Sequence, residues 1–300
     1  MSALDEFVER TAIRQAFDDH VQNWSGWMQV LQARAAGPAF HPRHSDRAFH
    51  YLVQFELARW CIKARINGVR TTWLAHLGLH NLACRPELEA LASRWGAFLV
   101  KAQARMDAYL QGQEVPLKDR IHVAWSLARL ETLYWEPYAK AELVHPVPPS
   151  QAVLRQLTEW VTTWTRDWEN LEHPVHRALL NPEFNWMPGA GNSQITAVLD
   201  DAVLGLHCSQ RSSTPAQIRK LVGQVALSHL VGLHLPGHPE LADPVRYLGF
   251  YRVRAAENER WAVLDVVDLF PGEHWVSYLE SFARELKVAG EQFRASKPAG

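Results

Sequence analysis

The hydrophobic positions of this chain recur mostly at helical spacing. From Ser2 to Ala36 the apolar residues, ending in Trp24, Trp27, Met28 and Leu31, share one face, and Gly37-Pro38 stops the run. Ser45 is a candidate N-cap for a second helix carrying Tyr51, Leu52, Phe55, Leu57, Trp60 and Ile62 to a stop at Asn67-Gly68. A short third helix is predicted from Thr71 to Cys84. Pro86 at a first helical position opens a fourth, in which Leu88, Leu91, Trp95, Leu99 and Met106 keep the helical period as far as Gly112. A fifth is predicted from Leu117 to Leu143, with Pro137 kinking or interrupting it because proline lacks the amide donor.

Punctuation then divides the chain. His145-Pro-Val-Pro-Pro-Ser150 favours an extended polyproline connector, so the expected division is a helical domain over 1–145, a connector with a helix and a loop over 146–192, and a second domain over 193–300. In the middle part Trp160, Trp164 and Trp168 lie four residues apart on one helical stripe. His173 to Gly191, with Trp186, reads as an ordered loop. The third part opens with a predicted helix from Gln194 to His207. A second predicted helix follows, with Thr214, Pro215 and Gln217 forming a capping box.

The period changes only between Arg246 and Leu286. Tyr247–Val253 and Trp261–Leu269 are apolar runs rich in Val, Tyr, Phe and Trp, joined by the charged loop Ala255–Glu259, and are predicted to form a β-hairpin. Trp275, Tyr278, Leu279, Phe282 and Leu286 then return to helical spacing. The expected fold is therefore mostly α, an N-terminal helical bundle plus a smaller C-terminal α+β domain with one β-hairpin.

Composition narrows the function classes. With 300 residues, 47% of them hydrophobic, and a net charge of -1, the chain holds enough apolar material for a large core and is no polycation. Cys61, Cys84 and Cys208 are the only cysteines and form no CxxC, which suits a reducing compartment. No apolar run approaches membrane-spanning length and the first residues lack a leader pattern, so the expectation is a cytoplasmic protein without membrane attachment. Glycine-rich phosphate loops, dinucleotide fingerprints, H-E-x-x-H and G-x-S-x-G are all missing, and no cofactor is expected.

Four constellations bear on chemistry. Arg70 and His76, like Arg14 and His20, match the R-x5-H spacing seen in helical ribonucleases of the HEPN type; that resemblance implies metal-independent cleavage of RNA across a dimer cleft. His76, His80 and Cys84 run along one helical strip as candidate metal ligands. They span two turns, about 12 Å at helical rise, so one ion cannot take all three while the helix stays regular. On the hairpin, Arg246, Arg252 and Arg254 alternate with Leu248 and Phe250, and with nearby Tyr251 and Arg260 they suggest a basic-aromatic surface for nucleic acid. Asp265, Asp268 and Glu273 are carboxylates near the second strand, but strand alternation sends the two aspartates to opposite faces.

The 13 tryptophans sit mostly at apolar helical positions, where core packing accounts for them. No constellation outweighs its structural explanation. The functional expectation is a non-catalytic adaptor or assembly subunit docking a protein partner through helical surfaces. The alternative is a nucleic-acid-associated protein using the hairpin, with HEPN-like ribonuclease activity in the helical half.

Overall fold

A computed structural model describes residues 44–66, 73–135, 146–171, 175–180, 182–184, 196–208, 221–226, 228–229, 232–234, 245–255, 257–269, 275–277, 279–281, 283–284 and 288. They fall into two compact units, 44–171 and 175–288. The predicted helix Ser2–Ala36, the Thr214 capping box, Trp186 and the Pro137 kink lie outside the described residues. So do Arg14, His20 and Arg70.

The first unit is helical. Its helices are α1 (Ser45–Lys63), α2 (Ala75–Ala83), α3 (Glu89–Leu110), α4 (Leu117–Trp135) and α5 (Gln151–Glu169). Helix α4 is central, packing on α1, α2 and α5. Its Ile121, Val123, Ala124, Trp125, Leu127, Ala128, Leu130 and Leu133 are buried on several sides, as a helix surrounded by others requires. Where α2 crosses α4, Gly78 lies against the Leu130 backbone, and a Cβ there would come within 2.1 Å of the Leu130 carbonyl oxygen. Only glycine allows this approach. Asn81 fixes the same crossing by donating from Nδ2 to the Leu133 carbonyl oxygen at 3.0 Å.

Helix α3 begins after a single 3-10 turn, Pro86–Leu88, with the proline in its first turn as expected. Helix α1 starts at Ser45, but the cap position is His44 and no side chain caps it. Ser150 does cap α5, accepting from the Val153 amide at 3.3 Å. The tryptophan stripe of α5 is core: Trp160 meets Phe49 edge-on at 5.6 Å, Trp168 meets Trp60 at 5.3 Å and stacks on Trp164, which is fully buried. These contacts bring α5 into the helical unit, so the prolines at 146–149 lie within that unit and not between two.

The second unit holds more strand than one hairpin. Strands β1 (Ala178–Leu180), β3 (Ala197–Leu199), β4 (Ala202–His207), β6 (Tyr247–Arg252) and β7 (Trp261–Asp265) form a five-stranded sheet in the order β1-β3-β4-β6-β7; β2 (Glu183–Phe184) and β5 (Leu233–His234) pair separately. All neighbours are antiparallel except β4 and β6, which run parallel with Ala202 opposite Tyr247 and His207 opposite Arg252. Helical residues 221–226 lie between β4 and β6 in the chain and pack on β4, with Leu221 Cδ1 only 2.9 Å from where a Cβ on Gly205 would sit. This is the crossover that a parallel pair requires.

The predicted helix Gln194–His207 is thus the β3-β4 hairpin. Its apolar run is nearly continuous because both strands are largely buried, and a continuous run satisfies a helical count as well as a strand count. The break lies at Asp200-Asp201, where Asp200 takes a positive φ of 51° and its carboxylate accepts from the amides of His176 and Arg177 at 3.0 and 2.8 Å. Likewise β1 and β2 occupy part of the predicted loop His173–Gly191, and β7 ends at Asp265 in a 3-10 turn, Val266–Leu269.

Candidate functional site

The hairpin does not present the expected basic-aromatic face. Strand β6 lies between β4 and β7, so both its edges are paired, and its side chains are buried as well: Tyr251 is 0% exposed, Arg252 5% and Phe250 2%. The Arg252 guanidinium donates to the Glu259 carbonyl oxygen, and burial lowers its pKa. Arg260 donates to the Ala255 carbonyl oxygen at 3.3 Å, and Arg254 is half-buried in the turn after β6. Arg246 reaches solvent, but its Nε lies 3.0 Å from Asp265 Oδ2 across the β6-β7 pair. Burial raises the Asp265 pKa, while the Arg246 bond and the Val267 amide lower it further, leaving the carboxyl below its ordinary value. The expectation of an exposed arginine-aromatic ribbon overlooked the parallel neighbour β4, which turns an outer hairpin into the middle of a sheet.

The histidine strip resolves into two separate arrangements. His76 stacks on Trp73 and its Nδ1 lies 3.1 Å from the Trp73 carbonyl oxygen, which anchors the start of α2. His80 Nε2 and Cys84 Sγ approach to 3.9 Å at the exposed far end of that helix. Among the described residues no group of three or more His, Cys, Asp or Glu side chains is placed to hold a metal ion. Asp265 is committed to Arg246 and Asp268 is exposed in the following turn.

Helix α3 carries a feature that the sequence analysis missed. Its buried face is a heptad seam, Ala92, Trp95, Leu99, Ala102, Met106 and Tyr109, stepping alternately by three and four. A second seam with the same rhythm, Ala90, Ser93, Ala97, Val100 and Ala104, faces away from it, since 100° per residue puts the two stripes on opposite sides. Every member of this outer seam is exposed, and Val100, at 72%, is the most exposed of the large hydrophobics among the described residues. Its side chains are small, so another backbone can approach closely.

Charge flanks the outer seam unevenly. Along one edge stand Arg94, Lys101 and Arg105, all exposed; among the described residues only Arg105 has a carboxylate in reach, Asp119 at 3.7 Å. Along the other edge lie Glu89, Gln103 and Asp107, where Gln103 Nε2 donates to Asp107 Oδ1 at 2.8 Å. The signal was legible in the alternation of small residues, but a search for large apolar side chains passes over alanine.

No protein-family model matches this chain, and neither the curated proteins nor the solved structures contain a significant match to it.

Proposed function

We propose that the chain is a non-catalytic adaptor or assembly subunit whose α3 outer seam docks an amphipathic helix with acidic flanks, supplied by a partner protein. The observation that carries this reading is the exposed seam Ala90, Ser93, Ala97, Val100 and Ala104 beside the cations of Arg94 and Lys101. Small seam residues allow close helix packing, and flanking charges of one sign select a partner of the other. A second copy of this chain fits less well. Antiparallel copies would set the basic edges against each other, and parallel copies would match Glu89 with Arg94 but leave Lys101 facing Gly96. The seam covers about 22 Å of helix at helical rise, a short interface suited to transient association on the order of micromolar.

Fluorescence anisotropy with a labelled helical peptide bearing leucines at its seam and glutamates at its flanks tests this directly. The acidic peptide binds, the same peptide with lysine flanks does not, and Val100→Arg weakens binding at least about tenfold with unchanged far-UV circular dichroism. Equal binding of both peptides, or tight binding of a labelled RNA in place of either, contradicts the reading. Self-association that Val100→Arg abolishes would replace the partner with a second copy.

A further inference from the structure

At the junction of α1, α3 and α4 the charges do not balance locally. Two guanidiniums, Arg59 and Arg120, lie over the ring of Tyr109 at 4.2 and 4.5 Å from its centroid. One carboxylate, Glu56, serves them: Arg120 pairs with its Oε1, and the Tyr109 hydroxyl donates to its Oε2 at 2.7 Å. The Tyr109 hydroxyl also accepts from Arg120 Nη1 at 2.8 Å. Arg59 bonds to the neutral Tyr109 side chain and lies 3.5 Å from the Gly112 carbonyl oxygen, too long for a strong bond, and it has no carboxylate partner among the described residues. The Arg120 Nε–H is buried and has no acceptor among the described residues.

Space and field both favour an anion there. Gly112, whose carbonyl oxygen Arg59 approaches, adopts a positive φ of 93°, and nothing lies within 4 Å of where its Cβ would be, so the surface at Gly112 is open. Arg120 stands in the first turn of α4, where the helix end adds positive potential. Tyr109 cannot supply the missing negative charge, because burial raises its pKa and keeps the phenol neutral.

We propose that Arg59, with Arg120 behind it on the Tyr109 ring, binds one small oxyanion, inorganic phosphate or a carboxylate. The planar fork of Arg59 matches two oxygens of either group, and its stacking on Tyr109 holds the fork in place before the anion arrives. This site is independent of the α3 outer seam, since Tyr109 belongs to the buried face of that helix.

Thermal shift and titration calorimetry on the intact protein, with phosphate, acetate and chloride at matched ionic strength, test the proposal. Phosphate or acetate raises the melting temperature and chloride does not; the phosphate and acetate arms show which oxyanion is preferred. Arg59→Gln, at the edge of the cluster, lowers affinity at least about tenfold, and Arg59→Lys, which keeps the charge without the fork, falls between. Glu56→Gln removes the competing carboxylate and tightens binding by about tenfold. A purely structural cluster gives no anion-dependent shift in the native protein, or an affinity unmoved by Arg59→Gln. Either result overturns the proposal, and so does weaker binding in a folded Glu56→Gln protein.

Discussion

The two faces of α3 follow the same three-four rhythm and differ in what stands on it. Trp95, Leu99 and Met106 are at most 3% exposed on the inner face, while Val100 is 72% exposed on the outer one among alanines and a serine. Large side chains on the inner face fill a gap already set by neighbouring helices. Small ones on the outer face leave room for the close approach of another helix, and among the described residues none covers them. Periodicity therefore says where a helix is amphipathic, and side-chain volume says which stripe is core.

Substitutions should separate the faces by stability. Trp95→Ala, which empties the core end of the inner seam, is expected to cost about 3–5 kcal/mol in denaturant unfolding. Gly78→Ala comes next, at about 3 kcal/mol, because its new Cβ meets the Leu130 backbone at 2.1 Å and the α2-α4 crossing must open. Gly205→Ala should cost less, about 1 kcal/mol, since its Cβ meets only the Leu221 Cδ1 methyl at 2.9 Å and that side chain can turn away. Val100→Arg should move stability by less than about 0.5 kcal/mol while removing partner binding. A loss as large as that of Trp95→Ala would mean that the outer seam is covered by the chain itself.

The two units should also differ toward acid. His229 donates to the Val245 carbonyl oxygen at 2.8 Å and stands edge-on to Trp275. Burial lowers its pKa, opposed by the Val245 bond and by Glu280. A histidine whose folded pKa is depressed favours folding when neutral. Its contribution is complete above the ordinary value near about 6.5 and is lost as pH falls through that value towards the lower folded one. Melting of the sheet unit, followed by a strand-specific probe, should therefore drop below about pH 6.5, and His229→Gln should flatten that drop. An unchanged slope in the variant would show that another group titrates.

Legibility followed how far each element depends on local pattern. The α1, α3 and α5 helices, the proline at the start of α3 and the tryptophan stripe were readable because each is fixed within a few turns of its own sequence. The β3-β4 hairpin was not, since Val198, Val203 and Leu206 satisfy both periods and only the positive φ at Asp200 marks the break. The parallel pairing of β4 with β6 joins residues about 45 apart and leaves no local trace, so Tyr251 and Arg252 were expected on a surface and are buried. The Arg70-His76 spacing could be read, but with Arg70 outside the described residues His76 is seen only in its contact with Trp73.

The most direct measurement is a map of the protein's backbone amides, by nuclear magnetic resonance or hydrogen exchange, as the acidic helical peptide is added. Perturbation is expected to concentrate on residues 90–104 of α3, strongest around Val100 and absent in Val100→Arg. Perturbation centred on residues 246–260, or none on α3, would contradict the proposed docking.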